Sequence, residues 1–272
     1  AFTKVAFKPL LADFINLFKG NNFTKDYFSY FRSSNDDKDH DIFLKIAEDF
    51  YSYYQEYLDM HQQIDFNDMI NESSKLIKKY GLKKHYRYIL VDEYQDTTYT
   101  NYNLIKSLQD KTDAHLTVVG DDWQSIYAFS GSDITLFTKF SEKMGYAKML
   151  KIVKTYRNSQ EVIDIAGNFI QKNSEQIRKR LLSPKNITDP VIIYTYDSTA
   201  KGRKGDRRSG SNYAVAHAVE TALTQLIMYK KQEGRQPGTI LLLGRYAFDG
   251  DHLEKSGLFE FVRGGSKIKS VK

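Results

Sequence analysis

The sequence predicts an α/β protein with a helical lead followed by strands and helices in alternation. Three observations predict it. Apolar residues recur at three- and four-residue steps through residues 1–62, short apolar runs then alternate with helical stretches, and one of those runs ends directly on two carboxylates.

The elements follow in order. Leu44, Ala47, Tyr51, Tyr54 and Leu58 mark one face of a helix, and the polar stretch 33–41 separates it from what precedes. The interleaved aromatics of 27–31 and 50–57 fit helix–helix packing better than base stacking. After IDFNDMI (64–70) and a helical run, YRYILV (86–91) reads as a buried strand, 97–109 as a helix, and LTVVG (116–120) as a second strand. Residues 133–143 read as helical and MLKIV (149–153) as a strand. Asn158 with Glu161 resembles a capping box opening a helix whose face is Val162, Ile165, Ala166, Phe169 and Ile170. VIIYTY (191–196) and TILLLG (239–244) are further strand candidates, separated by the basic, glycine- and serine-containing segment 198–212 and a helix over 213–231. The segment 198–212 reads as a surface loop, with a nucleic-acid tether as the alternative.

Composition narrows the chemistry. No cysteine occurs in 272 residues, which excludes disulfide scaffolds, cysteine-ligated zinc, iron–sulfur sites and thiol nucleophiles, and suits a reducing, cytoplasmic setting. No apolar run reaches the length of a membrane helix, so no membrane partner is expected. The net charge is +6, yet residues 1–150 carry 18 basic and 22 acidic side chains, so the basic excess belongs to 151–272. That asymmetry is compatible with phosphate backbones and equally with a solvated face.

Three segments carry candidate chemistry. ILVDEYQD (89–96) places Asp92 and Glu93 at the carboxyl end of a strand, the crevice where parallel α/β sheets bind ligands; Asp92 there suits magnesium and Glu93 suits accepting a proton from water. VVGDDWQSIYAFSG (118–131) follows the next strand, with Gln124 able to hydrogen-bond a phosphate or water and Tyr127 and Phe129 on one side of an extended stretch. TYRN (155–158) puts Arg157 at a strand-to-helix junction. Singly, each also reads as a solvated strand end, a loop packed by its aromatics, or a surface arginine.

Together, DExQD, then GDxxQxIYxFxG, then xYRN before an amphipathic helix resemble motifs II, III and IV of the UvrD/Rep-type superfamily-one helicases. The form GDDWQSIYAFSG is most similar to the helicase IV branch, and IDFNDMI resembles a family segment upstream of motif II. The resemblance covers roughly residues 63–172. It implies parts of two RecA-like domains of the P-loop NTPase type plus an inserted helical subdomain: 1–62 the insertion, 63–150 the rear of the first RecA-like domain, 151–272 an incomplete second. It implies ATP and Mg2+ as cofactors and single-stranded and duplex DNA as partners, with 3′-to-5′ translocation and a place in DNA repair. By position, Asp92 would hold the metal, Glu93 would act as catalytic base, Gln124 would sense the γ-phosphate, Arg157 would be the arginine finger, Tyr156 would pack on adenine, and Phe129 supported by Tyr127 would stack on bases.

Two features depart from the family. None of the 16 glycines is followed by lysine, so the GxxxxGK[ST] phosphate loop is missing, and Ala128 and Ser130 stand where many members carry arginine. With Ala1 at the start, the expectation is an internal piece of a longer helicase polypeptide, inactive by itself. The alternative is a non-enzymatic DNA-binding or regulatory protein on a helicase scaffold.

Overall fold

The computed structural model describes residues 4–33, 37–197, 210–232, 239–244 and 253. By contacts the chain divides into two compact units, Ala1–Ile187 and Thr188–Lys272.

The first unit opens with three helices, α1 (Lys4–Gly20), α2 (Asp26–Ser33) and α3 (Lys38–Met60). Phe7, Leu11, Phe14 and Phe18 repeat at helical spacing on α1 and meet Phe28 of α2 and Leu44, Ala47 and Tyr51 of α3. The core is aromatic: Phe18 stacks on Phe28 at 4.5 Å between centroids and meets Tyr51 edge-on at 5.3 Å. Phe28, Phe31 and Tyr51 therefore serve packing, as expected, whereas Tyr30 and Tyr53 of the same clusters are exposed.

Helix α4 (Phe66–Tyr80) starts inside IDFNDMI with a capping box between Asp65 and Asp68 and ends on Gly81, whose φ of 73° lies in the left-handed region. The buried ammonium of Lys19, at the end of α1, reaches both capping carboxylates. Thr100, in the first turn of α5 (Tyr99–Thr112), donates to the carbonyl of Gly20 at 2.7 Å, and Ser74 of α4 shares a buried hydroxyl contact of 2.7 Å with Ser107 of α5. These polar pins fasten the helical lead to the sheet layer.

Strands β1 (Tyr88–Val91) and β2 (His115–Val118) pair in parallel, Tyr88 opposite His115 through Val91 opposite Val118, with α5 as the crossover. The expectation of a fully buried strand is corrected: Tyr88 and Leu90 are exposed, because one face of this small sheet has nothing packed on it among the described residues. The stretch 133–143 forms two short helices, α6 (Thr135–Thr138) and α7 (Phe140–Met144), followed by α8 (Gln160–Ile170).

Further expectations fail for identifiable reasons. Residues 149–153, 191–196 and 239–244 form no strand among the described residues, since a strand needs a ladder partner and what lies next to these runs is a single bridge, Lys154 to Leu182. The cap of α8 is Ser159 and not Asn158; the Glu161 carboxylate instead accepts from the Ile187 amide at 3.0 Å. The buried face of α8 is also rotated from the expected one, to Ile163 and Gly167, while Ile165 and Phe169 are exposed. Gly167 makes room for the Trp123 ring: an added Cβ would lie 3.0 Å from it.

In the second unit, α9 (Gly210–Gln232) buries Ala214, Ala216 and Leu223, and Tyr194 donates to Gln225 at 2.9 Å. The basic segment lies outside the described residues over 198–209.

Candidate functional site

The site grows from the carboxyl ends of β1 and β2. Immediately after β1 the chain turns sharply: Glu93 takes a left-handed conformation, φ 49°, and Tyr94–Asp96 form a single 3-10 turn. The Asp92 carboxylate, exposed at the strand end, accepts from the Glu93 amide at 2.9 Å. The turn is anchored by the Tyr94 amide, which donates to Val119 at 2.9 Å, and by the fully buried Tyr94 ring, packed edge-on against Phe140 at 5.5 Å. Burial pushes the Tyr94 phenol up to about 12. Burial, with the neighbouring Glu93 charge, also raises the Asp96 carboxyl.

Beyond β2, Gly120 leads into a 3-10 turn over Asp122–Gln124 capped by Asp121, which accepts from the Trp123 amide at 3.2 Å. Gln95 joins the two loops. Its side chain, 1% exposed, donates to Glu93 Oε2 at 2.7 Å and accepts from the Asp121 amide at 3.0 Å. Asp121 Oδ2 in turn accepts from Gln124 Nε2 at 2.7 Å. A continuous hydrogen-bonded path thus runs Glu93, Gln95, Asp121, Gln124.

A third segment closes on this path. Lys179 Nζ pairs with Asp121 Oδ1 and with Asp122 Oδ1 (2.7 Å) and sits 4.9 Å over the Trp123 ring. The buried Asp122 accepts from the Ile177 amide at 2.6 Å, and the indole of Trp123, the sole tryptophan, donates to the Ile177 carbonyl at 3.3 Å. For Asp121, burial acts to raise the carboxyl, but the hydrogen bonds from Gln124 and Lys179 and the Lys179 charge hold it below the usual carboxylate range. A shallow groove of about 590 Å³, lined in part by Trp123, Gly167, Gln171 and Lys179, lies beside this junction.

The remaining expected residues are placed separately. Tyr127 and Phe129 do not share an extended segment. Tyr127 immediately precedes a 3-10 turn over Ala128–Ser130, which brings the rings to 5.9 Å at 48°, and both stay exposed. Tyr156 and Arg157 are exposed in the loop before α8, Tyr156 with the Lys154 ammonium 5.3 Å over its ring. Among the described residues no hydrogen bond or ion pair joins either of them to Glu93 or Gln124. Gln95, Asp121, Asp122 and Lys179 received no role from sequence; Gln95 lies inside DEYQD and the two aspartates inside GDDWQ, but nothing marked Lys179 within its basic run.

A profile of the UvrD/REP helicase N-terminal domain matches residues 6–145, just over half of the chain. The chain belongs to this family. ATP-dependent DNA helicase PcrA of Bacillus subtilis (strain 168) is 34% identical over 180 residues, 64% of this chain and 23% of that protein. DNA helicase IV of Escherichia coli (strain K12) is 30% identical over 184 residues, 67% of this chain and 24% of that protein. The match therefore spans under a quarter of each of these relatives. As a UvrD/REP member, the chain carries its two loop segments on the parallel pair β1 and β2, and among the described residues no helix is long and apolar enough to cross a membrane.

Proposed function

We propose that this chain is part of a DNA helicase that couples ATP hydrolysis to 3′-to-5′ translocation on single-stranded DNA and duplex unwinding. The observation that carries the reading is the hydrogen-bonded path from Glu93 to Gln124 across the ends of two parallel strands. Such a path holds a base and a phosphate-contacting amide in fixed relation, which phosphoryl transfer requires because its catalysis is mostly positioning and charge stabilisation.

In this reading, residues 1–62 are the inserted helical subdomain, 63–150 the rear of a first RecA-like domain, and 151–272 part of a second. Asp92 fits a magnesium site of the kind that takes one or two protein carboxylates plus phosphate and water, being exposed at a strand end with one oxygen engaged only by its neighbour's amide. Bound there, the metal supplies neutralisation of charge on the phosphate oxygens. Glu93 accepts the proton of the attacking water, and the Gln95 amide fixes the Glu93 carboxylate for it. Gln124 registers the γ-phosphate, Arg157 stabilises charge on its oxygens, and Tyr156 offers a face for adenine. Tyr127 and Phe129, exposed in the same loop as Gln124, offer rings to unpaired bases. Lack of cysteine supports a cytoplasmic setting, and the family resemblance supports a role in DNA repair.

The test is ATP hydrolysis by the natural polypeptide containing this chain, with and without single-stranded DNA. Turnover stimulated by DNA, abolished by Glu93→Gln with ATP binding retained and slowed by orders of magnitude in Arg157→Ala, supports the reading. Nucleotide-independent DNA binding with no turnover replaces it by a non-enzymatic binding protein.

A further inference from the structure

Lys179 lies 58 positions from Asp121 in sequence and meets it at the end of the Glu93–Gln124 path. Asp121 Oδ2 takes the Gln124 amide, while Oδ1 takes the Lys179 ammonium together with the Trp123 backbone amide. The same ammonium neutralises Asp122, whose side chain is 2% exposed, while the indole of Trp123 and the Asp122 carboxylate both grip Ile177. Lys179 thus joins the Trp123 amide in holding Asp121 where its other oxygen meets Gln124.

We propose that Lys179 is a positioning residue for Gln124, acting through Asp121, so that the segment following α8 is built into the phosphate-sensing loop. The assignment rests on the ATPase reading of the preceding subsection. Its physical basis is that a charge-assisted contact holds a half-buried carboxylate more firmly than a single neutral amide does, so that without its cation Asp121 Oδ1 keeps only the Trp123 amide against turning toward water. A misplaced Gln124 costs the chemical step and leaves nucleotide binding largely untouched, because small displacements of positioning groups act on turnover.

The experiment uses the natural polypeptide and its DNA-stimulated ATP hydrolysis. Lys179→Met is expected to lower kcat about tenfold or more with KM for ATP within about twofold, and Lys179→Arg to recover most of the loss. In a Gln124→Ala background, Lys179→Met is expected to cause no further fall in kcat, since both changes remove one function. Should Lys179→Met fail to fold because Asp122 is left buried without its cation, Asp122→Asn with Lys179→Met removes the stranded charge and is read the same way. Unchanged kcat, or a loss that adds in full to that of Gln124→Ala, overturns the positioning role while leaving the helicase reading intact. A wild-type protein without DNA-stimulated turnover overturns both.

Discussion

Gly120 stands where Gln95 passes: a Cβ at position 120 would lie 2.5 Å from Gln95 Oε1 and 3.2 Å from the Gln95 amide nitrogen. The close approach lets the Gln95 carbonyl reach the Asp121 amide at 3.0 Å, and it makes glycine a steric requirement of the loop.

Gly120→Ala is accordingly expected to destabilise the fold by about 1–3 kcal/mol, since the methyl would overlap the buried, hydrogen-bonded Gln95 side chain and crowd the Phe137 ring. Urea unfolding measures it. Combining it with Gln95→Ala should restore only part of the loss, because the contacts with the Phe137 ring and the Gln95 backbone nitrogen persist.

Gln95→Leu tests the link itself. Removing a buried amide that serves Glu93 and Asp121 is expected to cost about 1–3 kcal/mol of stability and to reduce ATP turnover more than ATP binding. Equal losses in binding and turnover would show that Gln95 supports the fold alone.

Phe129→Ala separates base stacking from packing. The ring is 76% exposed, so the melting temperature should hold while affinity for single-stranded DNA weakens by about 1–3 kcal/mol. A lower melting temperature with unchanged affinity would assign the ring to the core.

Lys19→Met leaves Asp65 and Asp68 without their cation and is expected to cost about 3–5 kcal/mol, read by urea unfolding at neutral pH. For Asp65, burial acts to raise the carboxyl, but the hydrogen bonds from Lys19, the Asp68 amide and Tyr54, with the Lys19 charge, hold it below its ordinary value. A depressed folded pKa adds stability that is complete above about pH 4 and lost as pH falls through the lowered value. The gap between wild type and variant should therefore narrow in acid; a gap constant with pH would remove the carboxylate from the account.

Tyr94→Phe removes a hydroxyl that is buried with no hydrogen-bond partner among the described residues, so stability should stay level or rise by up to about 1 kcal/mol. Burial lifts the folded phenol to about 12, above its unfolded value near 10, so this group's stabilisation is lost as pH rises between the two and the variant should lose less stability than the wild type over that range. Urea midpoints across that range give the comparison.

The helical lead, the strand–helix–strand unit around α5 and the order of the three motifs were legible because each is encoded over a few residues: apolar spacing selects a face, and a strand followed by Gly or Asp marks a turn. The same spacing misjudged α8. Its periodicity favoured Ile165 and Phe169, yet the Trp123 ring chose the small Gly167 as its seat, a choice made by a residue outside the helix. Likewise 149–153, 191–196 and 239–244 have the composition of strands, but a strand exists only where another backbone completes its hydrogen bonds.

By itself the sequence determined which residues stand at the ends of β1 and β2: Asp92, Glu93 and, one turn into the next loop, Gln124. Only the tertiary structure decided how they are connected. Gln95 reaches Asp121 across 26 positions, Lys179 reaches it across 58, and Lys19 reaches Asp65 across 46. The physical reason is that local pattern sets dihedral angles and the face an element buries, whereas the partner of a buried polar group depends on which distant segment packs beside it and must satisfy it.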